Sequence, residues 1–128
     1  MIAVDTNVLV RLLVADDPHQ TRRAKALASR GPLFVPVTVL LETEWVLRAL
    51  YQVARGDIER GFRTLLDVAD VEDAADVARA LDLFGQRLDF ADALHVVRSG
   101  RASAFVSFDE KLVKRAKGLH TKPTVRRP

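Results

Sequence analysis

The sequence predicts an α/β protein with a central, mostly parallel sheet covered by helices on both faces. Short apolar β-like runs alternate with amphipathic helical segments along the chain, the pattern that parallel sheets impose. The runs also stop abruptly, at Asp5, Pro36 and Asp109. In sheets of this kind, residues just beyond the carboxyl ends of the strands line the ligand site. At 128 residues and 48% hydrophobic, the chain suffices for one compact domain, residues 1–128, with a basic tail from about 118.

Ile2 to Val4 is the first strand-like run, and a helix from Val8 to Val14 follows it, ended by Asp16-Asp17-Pro18. A second helix spans His19 to Ser29 and closes at Gly31-Pro32. Leu33 to Val35 reads as a buried strand. From Thr38 to Ala54, Val39, Leu40, Thr43, Val46, Leu47 and Leu50 recur at helical spacing, with Trp45 adding bulk. Asp57 can cap a helix running to Leu66, and Val68 to Val71 suits a brief strand. Asp73 to Phe84 carries Ala74, Val77, Ala78, Leu81 and Phe84 on one stripe. Asp89 is placed to cap a helix from Phe90 to Arg98. Ala104 to Ser107 is a strand, Asp109 to Lys117 a helix, and Pro123 to Arg126 a last edge strand.

Composition narrows the chemistry. The chain has no cysteine, which excludes disulfides, thiolate metal sites and cysteine nucleophiles. No run approaches the roughly 18 apolar residues of a membrane span, and Asp5 interrupts any signal-peptide pattern at once. A cytoplasmic protein without a membrane partner is the expectation. The formal net charge is +3, unevenly spread. Acids dominate from Asp57 to Asp92, whereas Lys111, Lys114, Arg115, Lys117, Lys122, Arg126 and Arg127 follow Glu110 with no acid among them. A basic flank beside an acidic centre suits a polyanionic substrate approaching a bound metal. A solvated terminal helix and tail accounts for the same charges.

Four acids, Asp5, Glu42, Asp92 and Asp109, sit in apolar settings: AVDTNVLVRLL, PVTVLLETEWVL, DFADALHVV and AFVSFDEKL. A carboxylate among buried neighbours costs several kcal/mol unless it is neutralised. Four such groups at equivalent edges of an α/β pattern point to one cation site. Oxygen-only donors select Mg²⁺ or Mn²⁺ over zinc. Like charges about 4 Å apart repel by roughly 4 kcal/mol at an effective dielectric of about 20, so the cluster calls for divalent metal. Metal-assisted phosphodiester hydrolysis is the reaction class that follows.

Each acid also has an ordinary role. Asp5 and Asp109 can simply cap helices, and Asp89 reads as a cap or an additional ligand, with Asp92 in the first turn beside it. Glu42 and Glu44 point about 200° apart on a helix; Glu42 shares its face with Trp45 and Val46, which favours it as the inward one. Thr6, Asn7 and Ser107 are placed to orient the neighbouring acids. His95, one turn beyond Asp92, reads as a packing histidine. Arg11 can reach a phosphate or lie on a solvated face.

Together, MIAVDTNVLVRLL, VPVTVLLETEWVL, DFADALH and FVSFDEKL resemble the PIN-domain ribonucleases, and among them the VapC-type toxins of toxin–antitoxin pairs. The likeness runs from Met1 to about Lys117. It implies a three-layer α/β/α sandwich and a Mg²⁺- or Mn²⁺-dependent endoribonuclease. By position, Asp5, Glu42, Asp92 and Asp109 match the family's acidic quartet and Thr6 its supporting hydroxyl. Ser107 stands where the family has Thr or Ser. The resemblance further implies an RNA substrate, a homodimer and a cognate antitoxin protein; Arg11, Lys111 and Lys114 are the candidate phosphate contacts. A phosphotransfer receiver would need a Lys directly after the strand ending at Ser107, and a haloacid-dehalogenase-type phosphatase an Asp at position 7, which is Asn7. A non-catalytic RNA-binding or interaction module on the same fold is the remaining alternative, and the intact quartet argues against it.

Overall fold

A computed structural model describes residues 1–128 as seven helices and five short strands. In chain order these are β1 (Ile2–Ala3), α1 (Thr6–Leu13), α2 (Pro18–Ala28), β2 (Leu33–Val35), α3 (Val37–Ala49), α4 (Arg55–Val68), β3 (Asp70–Val71), α5 (Ala74–Gly85), α6 (Phe90–Val97), β4 (Ala104–Val106), α7 (Glu110–Ala116) and β5 (Thr124–Arg126). Every strand pair is parallel, as the alternating pattern predicts. The chain groups into two compact units, Met1–Ala74 and Ala75–Pro128.

In the first unit the strand order is β1-β2-β3, with Ile2 opposite Leu33, Phe34 opposite Asp70 and Val35 opposite Val71. The pairs α1–α2 and α3–α4 make the two crossovers that parallel pairing demands. Apolar positions at helical spacing turn inward: Leu9 and Val10 from α1, Leu40 and Leu47 from α3, Ile58, Phe62 and Leu65 from α4. Alpha-helix α1 packs on both α2 and α3.

In the second unit β4 pairs with β5, from Ala104 opposite Thr124 to Val106 opposite Arg126. Its core draws on Val77, Ala80, Leu81 and Phe84 of α5, on Phe90, Ala93, Leu94 and Val96 of α6, and on Leu112 and Val113 of α7. Phe84 and Phe90 meet edge to face, ring centroids 5.7 Å apart at 77°.

Several boundaries differ from expectation. The hydrogen bonds divide the expected single sheet into a three-stranded and a two-stranded ladder. Runs of two or three residues make few ladder bonds, so apolar pattern alone does not choose their partners. Helix α1 starts at Thr6, because Asp5 already caps it. Helix α3 ends at Ala49, not Ala54: Gln52 takes a left-handed φ of 53° and the Val53 N–H returns to the Leu47 carbonyl at 2.9 Å. No Gly or Pro marks that stop. Asp57 does not cap α4, which begins at Arg55 after Ala54; it lies in the first turn and pairs with Arg60. Helix α4 also takes up Val68, leaving only Asp70–Val71 as strand. No helix is long and apolar enough to cross a membrane.

Phe84 is 1% exposed and anchors the aromatic pair of the second unit. Phe84→Ala is expected to destabilise the protein by about 3–5 kcal/mol, read from urea unfolding midpoints. A loss below about 1 kcal/mol would show that this pair does not centre the core.

Candidate functional site

Strand ends and helix starts position the predicted residues. After β1, the Asp5 carboxylate accepts the Thr6 N–H through Oδ1 at 2.7 Å, which caps α1. Thr6, buried at the first position of that helix, donates its hydroxyl to Oε1 of Glu42 on α3. Residues 36 apart in the chain are thereby clamped together. Asp5, Thr6, Asn7, Arg11, Glu42, Val46 and Tyr51 line one cavity of about 330 Å³. Arg11 does not lie on a solvated face: it is bonded to Asp16 at 2.7 Å, to Gln20 and to the Tyr51 hydroxyl at 2.9 Å.

The second unit builds its acids the same way. After β4, Ser107 Oγ accepts the Asp109 N–H at 3.0 Å. Asp109 caps α7, its Oδ1 accepting the N–H groups of Lys111 and Leu112 at 3.0 and 3.2 Å. Asp89 is the N-cap residue of α6, with no side-chain capping bond, and its carboxylate faces Arg115 at 4.0 Å. Asp92, half-buried in the first turn, is the electrostatically loaded member. Burial pushes its carboxyl above the ordinary Asp range, and the like charges of Asp89 and Asp109 push it further. His95 and Arg115 work in the opposite direction and do not cancel the rise. Lys111 and Lys114 are exposed on α7.

Burial corrects three expectations. Asp5, Glu42 and Asp109 are exposed, so they do not carry the desolvation penalty that their apolar sequence settings imply. On α3 the inward glutamate is Glu44, 3% exposed, because it falls on the stripe of Leu40 and Leu47; its Oε2 accepts from Arg48 Nε at 2.8 Å. Trp45, counted with Glu42 as an inward group, is 51% exposed. Glu42 therefore reaches the Asp5 cavity from the solvent side of its helix. His95 is exposed and does not pack in the core.

Pattern reading missed two contributors. Glu72, directly after β3, accepts the Val37 N–H at 3.0 Å and so caps α3, whose own N-cap, Pro36, has no side-chain oxygen. Tyr51 holds Arg11 at the Asp5 cavity. The Pro before α3 was the available signal for an external cap; nothing local marks Tyr51.

The donor chemistry suits a hard divalent ion. Asp5, Glu42 and Thr6 offer only oxygen, as do Asp92, Asp109 and Ser107, and the mutual repulsion acting on Asp92 is of the kind a cation relieves. Within neither unit do three carboxylate or imidazole side chains gather into a cage of their own. The family model described as PIN domain matches residues 2–118. No curated protein matches the chain.

The two glutamates of α3 give a clean contrast. Glu44→Ala should lower stability by about 1–3 kcal/mol in urea unfolding, whereas Glu42→Gln should leave it nearly unchanged. Asp92 gives a pH signature. Its folded-state pKa is raised, so the folded state holds the proton more tightly. The carboxyl is neutral in both states at low pH, and its penalty grows as pH rises through the raised value and persists to neutrality. In metal-free buffer Asp92→Asn should therefore melt higher than wild type at pH 7, with the gap closing below about pH 3. An equal gap at both pH values would count against this account.

Proposed function

The chain belongs to the PIN-domain family, whose fold is that of metal-dependent nucleases, and from that premise we propose that it is a Mg²⁺- or Mn²⁺-dependent endoribonuclease acting as the toxin of a toxin–antitoxin pair. The observation that carries this reading is the Thr6–Glu42 clamp beside Asp5, which places two carboxylates from distant segments on one cavity.

Asp5 and Glu42 of the first unit and Asp92 and Asp109 of the second are the proposed metal ligands. A bound divalent ion supplies a water of lowered pKa and offsets charge on the leaving oxygen. The protein's own groups do the rest. The Thr6 hydroxyl fixes the Glu42 carboxylate, and the Thr6 N–H fixes Asp5. The Ser107 hydroxyl steadies the turn into Asp109. Capping engages only Oδ1 of Asp5 and of Asp109, which leaves Oδ2 of each for the proposed metal. With the ion held by these acids, hydrolysis would add water to the phosphorus and break the P–O bond to the leaving ribose oxygen, the proton passing to solvent or to that oxygen. Arg11, Lys111 and Lys114 would grip flanking phosphates, and Asp89 supports Asp92. RNA is the proposed substrate, an antitoxin protein the proposed inhibitor, and a homodimer the proposed working state.

Asp5→Asn tests the reading, since Asn retains the capping oxygen. Purified wild-type protein should cut single-stranded RNA in Mn²⁺, and chelator should stop it. The Asp5→Asn variant should lose at least about a hundredfold in rate with an unaltered circular dichroism spectrum. Wild type that leaves RNA intact in Mn²⁺, or cutting that survives chelation, would overturn the proposal and favour a non-catalytic RNA-binding module.

A further inference from the structure

Charge on helices α4 and α5 is balanced locally. Arg60 pairs with Asp57, Arg63 with Glu59 and Arg79 with Asp76, each one turn away. Helix α2 breaks this pattern. Its sequence, PHQTRRAKALA, holds Arg22, Arg23 and Lys25 without a single acid, and Arg30 follows directly after it. Beside it lies a second cavity of the first unit, a groove of about 540 Å³ between α1 and α2. Arg11, Arg23 and Arg30 line it, no carboxylate does, and Val8, Ala24 and Leu27 supply an apolar floor. Arg11 is already tied to Asp16, whereas Arg23 and Arg30 are exposed and make no ion pair.

Two exposed guanidinium groups on a concave surface match phosphate oxygens, which they bind in bidentate fashion. A groove that tracks a nucleic-acid backbone needs such cations, and reading bases by stacking needs aromatic faces. This groove has the first and lacks the second, so it would hold a strand without regard to sequence. Its position gives the direction. Asn7 and Arg11 line both the groove and the Asp5–Glu42 cavity, so the two adjoin within the first unit.

We propose that the groove between α1 and α2 is a phosphate track for single-stranded RNA, in which Arg23 and Arg30 hold the backbone of the stretch flanking the bond presented to Asp5 and Glu42. The proposal deepens the ribonuclease reading and rests on it for the identity of the polyanion.

The test is binding of a fluorescently labelled, mixed-sequence RNA of about 20 nucleotides to the full chain in chelator, followed by anisotropy across a salt series. Arg23→Gln with Arg30→Gln should weaken binding about tenfold and reduce the slope of log affinity against log salt by about 1.4, two single-strand phosphate contacts. Arg22→Gln with Lys25→Gln removes the same charge outside the groove and should shift affinity less than about twofold. Equal weakening by the two double variants, or none by either, would overturn the track. So would a groove variant that keeps RNA affinity but loses binding of a labelled polyglutamate peptide, which would assign the groove to an acidic protein segment. Chelator separates this proposal from the catalytic one. A chain that binds RNA through Arg23 and Arg30 yet never cuts it sinks only the nuclease reading, and a nuclease whose KM for long RNA ignores both arginines sinks only the track.

Discussion

Parallel strand pairing is the constraint on which both units depend. Two parallel strands cannot be joined by a tight turn, so each needs a crossover, and every crossover begins at the carboxyl edge of its ladder. A helix that starts there exposes N–H groups with no partner of their own. In this chain carboxylates answer them: Asp5 for α1, Glu72 for α3 and Asp109 for α7. Negative charge thus collects at strand ends as a by-product of closing the fold. Two hydroxyls add to this: Thr6 ties Glu42 to the start of α1, and Ser107 accepts the backbone N–H of Asp109.

Much of this was legible in the sequence, and the failures share a cause. Leu33 to Val35 was read to the residue, because apolar runs bounded by Pro and Gly leave little freedom. The caps at Asp5 and Asp109 follow from residue type and position alone, whereas Asp89 occupies the N-cap position of α6 without a capping bond. Long-range information was not legible. Glu42 and Glu44 differ only in which side of α3 meets the core, and the presence of Trp45 pointed the wrong way because a large apolar residue can remain half exposed. The stripe of Leu40 and Leu47 would have assigned Glu44 correctly. The stop of α3 at a left-handed Gln52 carries no Gly to announce it. Tyr51 and Glu72 act on partners 40 and 35 residues away, which periodicity cannot reveal.

Electrostatics divides the surface into self-contained and outward-looking parts. Pairs such as Asp57–Arg60 and Asp76–Arg79 on the acid-rich helices are screened by their own neighbours and contribute little, about 0.3–0.5 kcal/mol each. The acidic centre suggested by counting residues is therefore weaker than it looks. Helix α2, by contrast, carries its cations without an acid, and Asp92 bears the like charges of Asp89 and Asp109. Attraction and repulsion of opposite sign thus belong to different elements.

The capping bonds of Asp5 and Asp109 all fall on Oδ1. An amide in either place keeps that oxygen and gives up only the charge. Folding stability consequently does not guard the charge at either position. One codon step, from Asp to Asn, would therefore strip the charge from either strand end and leave the scaffold standing.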